Sequence, residues 1–174
     1  MFMKMILFLM FHTFVFAQII LPESFQSDFK QMVTNPKGKV LHYEGKVYFS
    51  SMQYFKWVYL KPTQKEVCTD GKELLVVDHD LEQVSAYYIS KGLDISKVLQ
   101  KATLYRKNIY LANYDERQYT IQLDDKNRLQ SIAYYDELDN KVQIIFIDMK
   151  YTKTALPKKK MQCNYPKAYD IIRG

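Results

Sequence analysis

The feature of this chain that most constrains its fold is a succession of short strand-like runs separated by polar turns. In the run GKVYFSSMQYFKWVYLKP, Phe55, Trp57 and Tyr59 alternate with their neighbours, which is the period of a β-strand with one apolar face. Asp70-Gly71 joins the runs QKEVCT and ELLVVD, and this dipeptide favours a tight hairpin. The runs RQYTIQLD, LQSIAYYD and VQIIFIDMKYT repeat the pattern. Short strands at this spacing predict a mainly β, single-domain antiparallel meander, either a barrel or a strongly curved sheet.

Residues 93–102 depart from the strand pattern. Ile95, Val98 and Leu99 recur here at helical spacing, and Asp94 is placed to act as an N-cap. We therefore predict one short amphipathic helix in a chain that is otherwise built from strands.

Residues 25–33 fit two kinds of secondary structure. Phe25, Phe29, Met32 and Val33 would share one face of a helix, whereas Phe25, Phe29 and Val33 would also share one face of a strand. The local pattern alone leaves both assignments open.

The first residues of the chain have the organisation of a secretory signal peptide. One early positive charge precedes an apolar stretch, and Val15 and Ala17 supply short side chains at the −3 and −1 positions of a cleavage site. An uncleaved membrane anchor is the competing interpretation. However, a histidine and a threonine interrupt the apolar run, which is shorter than the roughly 20 residues that span a bilayer. We expect export, with residues 1–17 as signal peptide and residues 18–174 as one domain.

The two cysteines, Cys68 and Cys163, leave two possibilities open. Export to an oxidising compartment would permit a disulfide between them, but the sequence alone does not place their Cβ atoms within bonding distance. Two small buried side chains are an equally good interpretation.

The charge of the chain argues against one class of partner. The formal net charge is +6, a modest balance that fits anionic membrane surfaces or acidic partners but lacks the dense basic stripes of proteins that bind nucleic acid. The basic run Lys158–Lys160 is short. We expect it to be a solvated loop, since three charges give little unscreened attraction at physiological salt.

The stretch VVDHDLEQV places four polar groups, Asp78, His79, Asp80 and Glu82, between apolar runs. Neighbours on a strand point to opposite faces, so these groups cannot all converge on one ion. Asp favours turns because its carboxylate hydrogen-bonds nearby backbone. The sequence also has no G-x-S-x-G motif and no Gly-rich phosphate loop. We therefore predict a turn here, and a protein without catalytic residues, bound metal or cofactor.

The run FKWVYLKPTQKEVCTDGKELLVVDHDLEQV resembles the LolA family of periplasmic lipoprotein carriers. Four elements of the family pattern recur in order: an aromatic-x-Trp strand, a proline turn, an Asp-Gly hairpin and an acidic loop. They are Phe55 with Trp57, Pro62 with Lys65, Asp70-Gly71, and residues 78–84. The segments SFQSDFKQMV and MQCNYPKAYDII resemble the family's first strand and its closing strand with tail. The resemblance thus covers nearly the whole chain after residue 17, and it implies that residues 25–33 form a strand.

The resemblance implies an unclosed antiparallel β-barrel whose apolar concave face is capped by helices. Such a protein is a monomeric periplasmic carrier. It takes acylated lipoproteins from an inner-membrane ABC transporter and delivers them to an outer-membrane receptor or to the outer membrane itself. A barrel that does not fill its own interior leaves an apolar cavity, and burying lipid there is favourable by about 0.8 kcal/mol per CH₂ group. No covalent chemistry is needed.

Two sets of residues are the candidate site. The alternation predicts that Phe55, Trp57 and Tyr59 face the cavity, with Lys56 on the opposite, water-facing side of the strand. The predicted helix falls where the family has its lid, so the resemblance implies that it covers the cavity mouth. Ordinary core packing is the other interpretation of its apolar side chains, which are Ile95, Val98 and Leu99.

The chain departs from the family pattern in its lid. Ser51 and Met52 occupy the positions of a lid-latching arginine and a proline, and a serine does not offer the multidentate donors of a guanidinium. Only QIILPE separates the predicted cleavage site from the first strand, where the family has a helix. A periplasmic protein that binds free lipid or glycolipid would share the same fold, and it is the alternative function.

Overall fold

The structure, a computed structural model, describes residues 19–50, 54–88 and 95–173. The predictions for the signal peptide, for Ser51 and Met52, and for Asp94 as an N-cap lie outside these residues. Within them the chain forms twelve strands and two short helices. They are β1 (Ser24–Thr34), β2 (Val40–Ser50), β3 (Tyr54–Lys61), β4 (Lys65–Thr69), β5 (Glu73–Asp78), β6 (Gln83–Tyr88), α1 (Ile95–Gln100), β7 (Thr103–Arg106), β8 (Ile109–Tyr114), β9 (Arg117–Leu123), β10 (Leu129–Tyr135), β11 (Lys141–Thr152), α2 (Lys158–Met161) and β12 (Asp170–Arg173).

All twelve strands belong to one sheet, in the order β12-β6-β5-β4-β3-β2-β1-β11-β10-β9-β8-β7. Successive strands pair as antiparallel hairpins within each half, and the long strands β1 and β11 join the halves in the middle. No pairing among the described residues joins β7 to β12, so the curved sheet is unclosed. This confirms the predicted fold class.

The connection between β6 and β7 positions helix α1. β6 lies next to one end of the sheet and β7 forms the other end, so the chain between them passes from one side of the sheet to the other. Helix α1 lies in this connection and packs against β8. A short helix was predicted for residues 93–102, and α1 confirms it with bounds of Ile95–Gln100.

One cluster of buried side chains occupies the inner face of the sheet. Alternate residues of β1, β2, β3, β8, β9, β10 and β11 contribute to it, as expected for strands with one apolar face. Helix α1 completes the cluster. Its largest fully buried members are Phe25, Phe29, Phe49, Leu99, Tyr119 and Ile121.

The assignment of residues 25–33 to a strand is confirmed, because β1 pairs with β2 and β11 along its length. The hairpin at Asp70-Gly71 is confirmed as well, since β4 and β5 pair across it. Asp70 accepts hydrogen bonds from the backbone N–H groups of Lys72 and Glu73, and Gly71 has a φ of 89°. Glycine adopts this backbone conformation without steric cost.

One edge of the sheet departs from the antiparallel pairing that the other strands follow. β12 pairs with β6 in parallel, with Ile171 opposite Val84, because the chain returns across the outer face of the sheet before it forms its last strand. The run from Gly45 to Pro62 is also divided between β2 and β3. The strands β7 and β8 were not predicted, since their sequence TLYRKNIYLANY lacks a clean alternation.

The C-terminal segment after β11 is fixed to the outer face of the sheet. Cys163 forms a disulfide with Cys68 in β4, with Cα atoms 5.7 Å apart, which resolves the choice that the sequence left open. Lys158–Lys160 are exposed as expected, but they form the helical turn α2 instead of a loop. The Lys160 ammonium donates to Gln26 Oε1 at 2.7 Å and lies 4.8 Å from the ring centre of Tyr48.

Candidate functional site

The three aromatic residues that the sequence selected share the inner face of β3. Trp57 belongs to the buried cluster, and Phe55 and Tyr59 pack against it. The ring centres of Phe55 and Trp57 are 5.4 Å apart, and those of Trp57 and Tyr59 are 6.4 Å apart. The predicted orientation of this face is therefore correct, while its role in binding lipid stays a prediction.

Phe29 of β1 packs against this aromatic row and connects it with the neighbouring strands. Its ring meets Trp57 edge-on at 4.8 Å and Tyr59 edge-on at 5.2 Å, an arrangement that aromatic pairs favour. Gly45 lies opposite Phe29 in the register of β1 and β2. A Cβ atom at Gly45 would stand 2.8 Å from the Phe29 ring and 2.0 Å from the Val58 carbonyl oxygen. Because glycine has no side chain, the Phe29 ring can pack directly on the backbone at this position.

The aromatic surface continues across β1, β2 and β11. Phe25 stacks on Phe49 at 4.9 Å and meets Phe55 edge-on at 6.2 Å, and Phe146 lies 6.2 Å from Trp57. Phe25, Phe49 and Phe146 were not predicted to belong to the site. Phe25 carried a usable signal, because it shares one strand face with Phe29, but the placement of Phe146 depends on a pairing between distant strands.

Helix α1 covers this interior with three buried side chains. Ile95, Val98 and Leu99 belong to the same cluster as Trp57 and Phe29. The interior is filled by the protein's own side chains, so an acyl chain would have to take the place of α1 or of the side chains beneath it. The lid and core-packing interpretations of this helix therefore describe the same contacts.

Tyrosine hydroxyls line the same inner face near the β1–β2 turn. The Tyr59 hydroxyl donates a hydrogen bond to Gln31 Oε1 at 3.1 Å, and burial, then the neighbouring Tyr134 and Tyr43, raise the pKa of Tyr59. Burial, then the neighbouring Tyr119, raises the pKa of Tyr134 to about 12. Both phenols are therefore neutral at physiological pH and keep their O–H protons.

The prediction that Lys56 faces water is wrong. Lys56 does lie on the face of β3 opposite Trp57, but it is only 8% exposed. Its ammonium lies 2.9 Å from Glu66 Oε2 and donates to the Gln162 carbonyl oxygen at 2.8 Å. The cause is the C-terminal segment, which the disulfide between Cys68 and Cys163 holds over this part of the outer face.

The polar stretch between β5 and β6 is a turn, as predicted. Asp78 Oδ1 accepts a hydrogen bond from the Leu81 N–H, and Asp80 Oδ2 accepts one from the Gln64 N–H. His79 Nδ1 lies 3.2 Å from the Tyr169 hydroxyl. The Glu82 carbonyl oxygen accepts from the Asp170 N–H, directly before β12. These groups are engaged in local structure and in holding the C-terminal segment.

A second group of potential metal ligands lies on the outer face, where atoms of Glu66, Cys68 and Cys163 come within 4.8 Å of one another. The two sulfurs are bonded to each other, and the Glu66 carboxylate is paired with Lys56. Such sulfurs lack the thiolate charge that binds metals.

In the described parts of the chain, no helix has the length and hydrophobicity needed to cross a bilayer.

A solved structure supports the fold. The crystal structure of an uncharacterized conserved protein from Thermus thermophilus superposes with a TM-score of 0.58, covering 88% of this chain and 92% of that one. The two sequences are 13% identical, so the likeness concerns the fold alone.

Sequence relatives identify the family. The family model described as "Outer membrane lipoprotein carrier protein LolA" matches residues 22–102. The outer-membrane lipoprotein carrier protein of Campylobacter jejuni subsp. jejuni serotype O:2 is 32% identical over 169 residues, which cover 95% of this chain and 98% of the relative. That of Wolinella succinogenes is 34% identical over 123 residues, or 71% of this chain and 72% of the relative. The chain therefore belongs to the family of outer-membrane lipoprotein carrier proteins.

Proposed function

We propose that this protein is a periplasmic chaperone that binds the acyl chains of lipoproteins on the inner face of its sheet and carries them to the outer membrane. The observation that carries the proposal is the continuous aromatic surface around Trp57 and Phe29, covered by a helix of six residues. The names of the relatives from Campylobacter jejuni and Wolinella succinogenes support the choice of cargo.

Binding requires the apolar contacts of α1 to be exchanged for contacts with lipid. Ile95, Val98 and Leu99 bury their side chains against the cluster that contains Phe55, Trp57 and Tyr59. Helix α1 has only six residues, and it would have to leave this position for lipid to enter. Its displacement would expose apolar surface, and an acyl chain would cover that surface again at about 0.8 kcal/mol per CH₂ group. The protein then acts by binding alone, without covalent chemistry.

The route of the cargo follows from this role. Residues 1–17 direct the chain to the periplasm as a cleavable signal peptide, and residues 18–174 form the carrier domain. The protein acts as a monomer, taking lipoproteins as an inner-membrane ABC transporter releases them and passing them to an outer-membrane receptor or to the outer membrane. Removal of the signal peptide takes Lys4 with it and leaves a formal charge of +5, which suits approach to anionic membrane surfaces.

The experiment that tests this function is identification of the cargo. The protein would be purified from the periplasm of its own host, and bound molecules identified by mass spectrometry. We expect acylated lipoproteins in the bound fraction. Recovery of free lipid or glycolipid without lipoprotein would contradict the proposal and support the alternative function. Site-specific cross-linking in cells tests the donor, since only a lipoprotein carrier needs to contact the ABC transporter.

A further inference from the structure

Tyr119 carries a hydroxyl group that is fully buried in the folded protein. Its side chain points into the buried cluster from β9, and the residue is 0% exposed. Its hydroxyl makes no hydrogen bond of standard geometry to any group that the structure describes. Burial raises the pKa of Tyr119, and contact with the Arg117 guanidinium opposes this increase. A guanidinium only donates, so this contact leaves the O–H proton of Tyr119 without an acceptor. Buried polar groups almost always have partners, because an unpaired one costs free energy.

The unpaired hydroxyl lies in a row of tyrosines on the inner face. The ring of Tyr119 is 5.1 Å from that of Tyr134 in β10, and Tyr134 in turn affects the pKa of Tyr59 in β3. The hydroxyl of Tyr59 is already used, since it donates to Gln31. Among the described residues, Tyr119 has the fully buried hydroxyl of this row whose proton is not donated to an acceptor.

We propose that the Tyr119 hydroxyl is the donor for an ester carbonyl oxygen of the cargo's acylglyceryl group. This inference rests on the proposed function, and it predicts how the bound lipid is oriented. The hydrocarbon part of each chain needs only apolar contacts. The carbonyl at its head loses its water on binding, and burying it without a hydrogen bond would be unfavourable.

A tyrosine suits this task better than a charged donor does. Its hydroxyl donates one hydrogen bond while its ring keeps an apolar surface. A buried cation would need a counter-charge in the complex and in the free protein. Burial, opposed by the nearby Arg117, raises the pKa of Tyr119 and keeps its proton in place. The Tyr119 O–H thus has no acceptor in the free protein and donates to the ester carbonyl oxygen when the cargo is bound.

The experiment compares the Tyr119→Phe variant with the wild type on two synthetic lipopeptides. One carries ester-linked acyl chains, and the other carries ether-linked alkyl chains of equal length without carbonyl oxygens. We expect the variant to bind the ester lipopeptide about three- to tenfold more weakly and the ether lipopeptide equally well. We also expect its Tm without ligand to rise by about 2–4 °C, because the unpaired hydroxyl is gone.

Tyr151→Phe is the matched control. The Tyr151 hydroxyl already accepts a hydrogen bond from the Leu129 N–H at 2.8 Å, so its removal should lower the Tm and leave the ratio of ester to ether affinity unchanged. Equal ester affinity in Tyr119→Phe and wild type, or a lower Tm in that variant, would overturn the subsite alone. A wild type that binds neither lipopeptide would overturn the proposed function, and the subsite with it.

Discussion

The Lys56 ammonium lies 2.9 Å from the Glu66 carboxylate, and the two side chains are only 10% and 13% exposed. The pair stands on the outer face of the sheet, behind Trp57, where the C-terminal segment covers it. The Gln162 carbonyl oxygen accepts a further hydrogen bond from Lys56, and Glu66 accepts one from the Asn164 N–H. The ion pair therefore holds the segment on the sheet together with the disulfide.

Removal of one partner of this pair should be costly. Lys56→Ala leaves the Glu66 carboxylate buried without its cation, and we expect the free energy of unfolding to fall by about 3–5 kcal/mol in urea denaturation. Lys46→Ala is the control, because the ion pair between Lys46 and Asp28 is about half exposed and such pairs contribute less than about 1 kcal/mol. Equal losses in the two variants would contradict the burial of the Lys56 pair.

The disulfide between Cys68 and Cys163 should be a major source of stability. It spans 95 residues of sequence, and a closed loop of that length restricts the unfolded chain. We expect reduction to lower the free energy of unfolding by about 2–5 kcal/mol. The measurement is urea denaturation with and without dithiothreitol. A Cys68→Ala/Cys163→Ala variant should be insensitive to the reductant, and a wild type with the same insensitivity would show that the bridge is not formed.

Acid should weaken the hairpin turn at Asp70. Hydrogen bonds from the Lys72 and Glu73 N–H groups hold the pKa of Asp70 below its usual value. A carboxylate with a lowered folded-state pKa contributes stability above its unfolded pKa of about 4, and this contribution is lost as the pH falls through the folded pKa. Asp70→Asn keeps an acceptor that does not titrate. The free energy of unfolding, measured by urea denaturation, should fall less in the variant than in the wild type between about pH 5 and pH 3. An equal fall in both proteins would contradict the role of the Asp70 carboxylate in the turn.

Much of the fold was predictable from local patterns. The alternation around Trp57 identified an inner face, the Asp-Gly dipeptide identified a hairpin, and the spacing of Ile95, Val98 and Leu99 identified the helix. Residues 25–33 needed the family resemblance, because helix and strand both fit the local pattern. These features depend on residues that are close together in the sequence.

The features that local patterns did not predict depend on contacts between distant segments. Lys56 was assigned to water because a lysine on an outer strand face is normally solvated, and its burial requires a segment more than 100 residues later. The parallel pairing of β12 and the placement of Phe146 have the same origin. Nothing in the local sequence indicates that the Tyr119 hydroxyl donates no hydrogen bond, because this depends on which polar atoms the assembled core places around it.

A charge on the aromatic face should abolish binding. Trp57→Glu places a carboxylate among Phe29 and Phe55, and an unpaired charge in an apolar site costs several kcal/mol. We expect at least a 100-fold loss of affinity for a fluorescently labelled lipopeptide. Leu60→Glu is the control, because Leu60 is in the same strand but 51% exposed, and it should bind normally. Circular dichroism would verify that both variants are folded.

The unmodified protein offers the most direct test of the central claim that acyl chains bind on the inner face of the sheet. Trp57 is the only tryptophan in the chain, and bromine atoms quench indole fluorescence on contact. A lipopeptide with brominated acyl chains would be titrated into the protein, with its unbrominated counterpart as the control. We predict strong quenching of Trp57 that saturates with binding of the brominated ligand only. Saturated binding that leaves Trp57 unquenched would place the acyl chains elsewhere and contradict the account.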